Sequence, residues 1–378
     1  MARVELGSIS NSVGQPLLLP TAVHSLPLHP ARGVLIVDAC NDMADALIEQ
    51  LRASPQCPPI TAVVRGSWTA SDEWCDRMAA AGVTVVVEQD NWLGSSCLSI
   101  GGKKLDNKDG VGARRELVAA HPQVVLMVAF SWERVYVGDG QYCNVMGGTR
   151  RRTHTLWIDA CSHQRAQHVV YVSTASCQLF HWRSEGDHCI ESLHYEMEVQ
   201  LYDKAGGIQR WTVLRPVSLM CCRVPKYTNY ELHGLVDFTT VTARIDPTTR
   251  QQLIAPSDVG RIAALVLLNS AAYHNAVLEL AADCLSPNEE AEVRSAVMGT
   301  PARVDSQYWT YYSDPGPCWG CHKGESDWIV PAYAQRAVVS VEATRALLLS
   351  LLDYAGWVAS KREQWHMGAP VLEPCVIA

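Results

Sequence analysis

The sequence predicts an α/β fold: a doubly wound parallel sheet with a smaller α+β lobe built from its C-terminal part. Two observations carry this. Short, continuously apolar runs alternate with amphipathic helical patterns as far as residue 215, and such runs belong to strands covered on both faces. Beyond residue 250 the alternation gives way to capped helices and isolated strands around an aromatic, Pro- and Gly-rich stretch at 301–335.

Taken in order, Val34-Leu-Ile-Val-Asp38 reads as the first strand, followed by a helix with Ala46, Leu47 and Leu51 on its apolar face. A second strand starts at Ile60 and ends at Arg65, and a helix over 72–81 leads to the strand that begins at Val83. Val124 opens the fourth strand, a helix over 149–165 precedes the strand Val169–Ser173, and a helix over 190–204 precedes Trp211–Arg215. Gly101–Gly112 and Val135–Gly148 read as inserted loops. In the lobe, a helix over 257–268, a strand over 277–281 and a helix ending near Met298 are expected. The last of these starts at Ser286-Pro287-Asn288-Glu289, a capping box with proline at the first helical position. A single closing helix is expected over 340–357. The implied organisation is a flexible arm (1–32), a main sheet domain (33–250), an interleaved C-terminal lobe (251–365) and an extended tail (366–378).

Composition narrows the function. A net charge of −8 argues against nucleic acid as a partner, and the one basic run, Arg150-Arg151-Arg152, reads as a solvated helix start. The fourteen cysteines are scattered, no secretory signal is recognisable, and reduced thiols in the cytoplasm are expected, ahead of a mitochondrial location. No apolar run is long enough for a spanning helix. Cys318-Trp319-Gly320-Cys321-His322 has the outline of a haem-attachment motif, but nothing else supports that chemistry and no metal site is expected. The histidines at 181, 188 and 194 do not share a helix face, and Gly110-Val111-Gly112 follows no strand, so neither is taken as a site.

Four segments carry a family resemblance: HVVYVSTAS (168–176), RWTVLRPVSLM (210–220), PSDVGRIAALVLLN (256–269) and LELAADCLSPNEEAEVRSAVMGTPARV (278–304). In order and spacing they resemble successive blocks of the NmrA-like family, atypical short-chain dehydrogenases with a Rossmann-type fold. The pairing of Leu214-Arg215-Pro216 with Asp258-Val259-Gly260 is the most specific feature. The resemblance covers roughly residues 33–305. It implies NAD(P) binding, reductase activity in some members, and in others sensing or partner regulation without turnover.

The residues that would run a dehydrogenase are mostly missing, which makes this a degenerate member. A dinucleotide needs glycines where the first strand turns into its helix, so that backbone N–H groups approach the pyrophosphate. The family pattern there is G-x-x-G-x-x-G, whereas this chain has Asp38, Asn41 and Ala44 at those positions. Arg65 falls where relatives hold an NADP 2′-phosphate, and Asp90 where the adenine is contacted. The superfamily's Tyr-x-x-x-Lys pair is absent; Ser192 and Glu196 take the expected positions, and an acid there raises a phenol's pKa. Ser173 matches the usual serine, and Tyr195 is a candidate phenol placed to reach a pocket. The expectation is a non-catalytic sensor, regulator or scaffold with weak or lost NADP(H) binding, working through a protein partner. The alternatives are an NADP(H)-dependent oxidoreductase with rearranged groups and a structural subunit of an organellar complex. Finally, Cys375-Val376-Ile377-Ala378 satisfies C-a-a-X, so prenylation of Cys375 and reversible membrane association are expected.

Overall fold

The computed structural model describes residues 33–39, 42–65, 72–90, 96–100, 103–105, 111–127, 132–138, 141–146, 148–175, 177, 190–223, 239–242, 246–305 and 339–366. The arm, the tail with Cys375, Asn41 and the Cys318–His322 stretch lie outside them.

The elements are β1 (Val34–Val37), α1 (Asp42–Arg52), β2 (Ile60–Arg65), α2 (Asp72–Ala80), β3 (Thr84–Asp90), β4 (Ser96–Ile100), β5 (Lys103–Lys104), α3 (Val111–Ala120) and β6 (Gln123–Met127). There follow β7 (Trp132–Gly138), β8 (Gln141–Met146), α4 (Gly148–His163), β9 (His168–Val172), α5 (Ile190–Asp203), β10 (Trp211–Pro216), β11 (Ser218–Leu219) and β12 (Thr240–Thr242). The chain continues with β13 (Gln251–Ile254), α6 (Pro256–Leu268), β14 (Ala276–Leu280), β15 (Asp283–Leu285), α7 (Pro287–Met298), β16 (Arg303–Asp305), α8 (Val341–Leu347) and α9 (Tyr354–His366).

The main sheet has nine strands in the order β14-β10-β9-β6-β1-β2-β3-β4-β5. It is parallel from β14 to β3, and β4 and β5 add an antiparallel edge. The chain runs outward from β1 in one direction and then returns to its other side at β6, which makes this a doubly wound, Rossmann-type sheet. In such sheets a ligand crevice opens beyond the carboxyl ends of the strands at that switch point. The strands β1, β6 and β9 are buried along their whole length, as their continuous apolar runs require.

Each face of the sheet has its own core. One gathers α1 and α6 with Ile36, Val125 and Leu214 and extends to α9 through Tyr354, Trp357 and Val358. The other lies under α3, α4 and α5, around Leu35, Val37, Trp157, Tyr171, Met197 and Val213. Gly260 sets the approach of α6 to α1: a Cβ there would sit 2.0 Å from the Met43 carbonyl oxygen. The neighbouring Asp258 is fully buried, accepts a hydrogen bond from the Leu352 N–H at 2.7 Å and pairs with Arg261. The Asp258-Val259-Gly260 motif thus joins the lobe to the first helix. β14, from the C-terminal part of the chain, joins the main sheet beside β10, so the lobe is woven into the sheet.

Three expectations are corrected. The stretch 340–357 is two helices, because Leu348 turns extended (φ −137°, ψ 97°) and Asp353 restarts the chain by accepting from the Gly356 N–H. The second inserted loop is a hairpin, β7 with β8, and the first contains β5 and leads into α3. The cysteines are not uniformly reduced: Cys57, Cys75, Cys161, Cys177 and Cys284 are free, but Cys221 is disulfide-bonded. The capping box at Ser286 and Glu289 is formed as expected, and Gly299 closes α7 at φ 71°.

Candidate functional site

The site is the crevice end of the sheet, where β1, β6, β9 and β10 give way to their helices. Asp38 follows β1 directly and adopts φ 60°, the left-handed region that favours glycine. It takes the backbone shape of the first fingerprint glycine while carrying a side chain. Its carboxylate turns inward and bonds His154 Nε2 of α4 at 2.9 Å, with both side chains almost wholly buried. At α1 itself, Asp42 and Asp45 occupy the first turn, where the helix end is positive and a phosphate would otherwise be held. Asp42 is paired with Lys361 of α9 at 3.0 Å, and Asp45 accepts from Trp74 Nε1 and Arg77.

A dinucleotide does not fit this turn well. The first glycine position carries a buried carboxylate, and the helix end is already neutralised by its own acids. Ala44, at the third glycine position, is fully buried in the α1 core. Arg65 and Asp90 end the neighbouring strands β2 and β3, and Arg65 is in register with Glu88. Both therefore stand at the carboxyl-end edge of the sheet.

The second half of the site is a polar cluster on α5. Helical periodicity turns Leu193, His194, Met197, Glu198 and Leu201 inward, while Tyr195 and Glu196 are half-buried. The polar side chains that this helix buries are His194 and Glu198. The Glu198 carboxylate receives Arg215 Nε at 3.0 Å and Nη2 at 2.5 Å, Ser173 Oγ at 2.5 Å, Cys177 Sγ at 3.1 Å and the Tyr202 hydroxyl at 3.0 Å. A carboxylate offers about four lone-pair sites, so this one is saturated. Burial alone would push its carboxyl up, but the bonds and charge of Arg215, with those of Ser173 and Cys177, hold it below the usual range.

The consequences for chemistry are direct. Ser173, the candidate nucleophile or proton donor, donates to a carboxylate that is already ionised and bidentately paired, so no base is left to activate it. Burial, followed by the Glu198 charge, pushes the Cys177 thiol far up, and a thiol held protonated is a poor nucleophile. Arg215, from the Leu-Arg-Pro motif, is the structural partner of Glu198. Ser173 is committed to Glu198, and Tyr195 is half-buried on the same helix as that carboxylate.

Beside this cluster, Tyr171 of β9 bonds His194 Nδ1 at 3.0 Å, fully inside the protein. Burial drives the Tyr171 phenol far up and, with His154 also opposing a cation there, takes the His194 imidazole down to about 3. A third buried network sits nearby under α3 and α4: Arg114 pairs with Glu88 and lies 5.4 Å from the centroid of the Trp157 ring. Sequence reasoning missed His154, His194, Glu198 and Tyr202. Glu198 left one signal, its spacing four residues after His194 on a helix; His154 left none, because its partner lies 116 residues away. Among the described residues no group of His, Cys, Asp and Glu could hold a metal ion, and no helix is long and apolar enough to cross a membrane.

No family model matches the chain, and no curated protein matches it. Solved structures do. NmrA, a negative transcriptional regulator in complex with NAD, aligns at TM-score 0.57 and 14% identity over 89% of this chain and 96% of its own. An NADPH-dependent quinone oxidoreductase from Escherichia coli, complexed with NADPH, aligns at 0.55 and 18% over 86% and 99%. The Citrobacter sp. triphenylmethane reductase complexed with NADP(H) aligns at 0.54 and 14% over 87% and 99%. At these identities the similarity shows the fold, a Rossmann-type α/β protein.

Proposed function

We propose that this chain is a degenerate NmrA-like protein that regulates or scaffolds a protein partner without turnover, with weak or lost NADP(H) binding. The carrying observation is Asp38: at the position of the first fingerprint glycine, its carboxylate is buried against His154. Support also comes from Asp42, which brings its own anion to the start of α1, and from the saturated Glu198, which leaves Ser173 without a base. The kinship with a regulator and with nicotinamide-dependent reductases, one fold serving both, makes a lost cofactor site a short step.

The test is a titration of the purified protein with NADH and NADPH, read by thermal shift and fluorescence. No shift is expected with NADH and at most a weak one with NADPH; a sub-micromolar Kd for either overturns the reading. Asp38→Gly removes the buried carboxylate while keeping the left-handed turn, and strengthens whatever binding exists. Arg65→Ala weakens NADPH selectively if that guanidinium meets a 2′-phosphate, and an equal effect on both nucleotides excludes that role. The partner is sought by co-purification from native cells. A protein that runs alone and turns over a substrate with NADPH would replace the regulator with an oxidoreductase.

A further inference from the structure

We propose that the seam between α4 and α5, in which the imidazoles of His154 and His194 are both buried, is an acid-sensitive joint that opens on mild acidification and loosens the crevice end of the sheet. The inference is independent of whether a dinucleotide binds.

The geometry is specific. His154 on α4 and His194 on α5 are 0% and 1% exposed, and the two helices pack side by side over the same core. His154 is faced by Asp38 from β1, at 2.9 Å, and by His194 from α5. His194 is faced by the Tyr171 hydroxyl from β9 at 3.0 Å, by His154 from α4 and by Glu198 one turn along its own helix. Of these, only Glu198 favours a cation at His194, and its carboxylate is already committed to Arg215. Tyr171, whose hydroxyl can donate to Nδ1, stays a neutral phenol, so it offers no compensating charge. Burial therefore prevails, and the His194 ring stays neutral down to about pH 3 while the seam is closed. Once the seam opens and water reaches the ring, it titrates near its ordinary value of about 6.5. Every pH unit below that value then favours the open state about tenfold.

Asp38 extends the effect to the crevice. It is held in its left-handed turn while bonded to His154, so a displaced α4 removes the partner that keeps this carboxylate buried. The movement thus reaches the first turn of the sheet as well as the two helices.

Hydrogen–deuterium exchange on the full chain at pH 7.5, 6.5 and 5.5, expressed as protection factors, tests this. Protection in 148–163 and 190–203 is expected to fall about fivefold between pH 6.5 and 5.5, while α1 and α6 hold theirs. His194→Gln keeps a polar group against Tyr171 but cannot titrate, and its seam response is expected to flatten. His168→Gln removes a third deeply buried histidine, which bonds Thr212 on the far side of β9, and leaves the seam response intact. If His194→Gln does not fold, His194→Asn serves, and the wild-type comparison of the seam with α1 and α6 decides in either case. Parallel loss of protection across all four helices, an unchanged seam at pH 5.5, or an undiminished response in a folded His194 variant overturns the proposal.

Discussion

The two faces of the sheet are held together in different ways. On the α1 and α6 face most contacts are apolar, the tightest is backbone against backbone at Gly260 and Met43, and the buried Asp258, paired with Arg261, sits at the start of α6. On the α3, α4 and α5 face, buried ion pairs sit among the apolar side chains, Glu88 with Arg114 and Glu198 with Arg215, beside the hydrogen-bonded Asp38 and His154. The first face is sensitive mainly to volume. The second is sensitive to charge, because each buried ion is tolerable only while its partner is present. The crevice lies at the end of the charged face. At that end the polar groups of the charged face are bonded to one another.

The contrast can be broken most severely at Glu198. Arg215→Leu leaves a buried carboxylate without its bidentate partner and is expected to cost about 3–5 kcal/mol in denaturant unfolding. The double variant Glu198→Leu with Arg215→Leu should recover part of that loss, since no unpaired charge remains, while Ser173, Cys177 and Tyr202 lose their acceptor. If the double variant is as unstable as the single one, packing rather than charge dominates this face.

Acidification comes next. His194 and His168 are each taken to about 3 by burial, below the unfolded value of 6.5. The unfolded chain therefore binds more protons between these values, so stability is complete above pH 6.5 and falls as the pH drops below it. From pH 7 to 5 each histidine is expected to remove about 2 kcal/mol. Urea unfolding at the two pH values measures this, and a stability that is flat across that window would show that the imidazoles are not buried as described.

On the apolar face, Gly260→Ala forces a methyl group onto the Met43 carbonyl and is expected to cost about 1–3 kcal/mol by overpacking. Its effect should be independent of pH between 7 and 5, which distinguishes the two faces in one experiment. The smallest effect belongs to neither face. Ser286→Ala removes half of the α7 capping box and should lower stability by about 1 kcal/mol, read as a shift in Tm.

The alternation of apolar runs and helices was enough to predict the doubly wound sheet, because strands covered on both faces must be continuously apolar. The capping box was equally legible, since both of its partners lie within three residues. The break at 348–353 was not, because the periodicity of 340–357 is helical on both sides and the interruption depends on Asp353 and on Asp258, which lies 94 residues from Leu352. In the site, the sequence alone showed that 38, 41 and 44 are not glycine and that no Tyr-x-x-x-Lys occurs. Where the carboxylate of Asp38 goes, and what holds Ser173, was decided only by the tertiary structure. Local patterns report what a residue's neighbours in the chain require. A buried charge reports what its neighbours in space supply, and Asp38 and His154, 116 residues apart, meet only when β1 and α4 have packed.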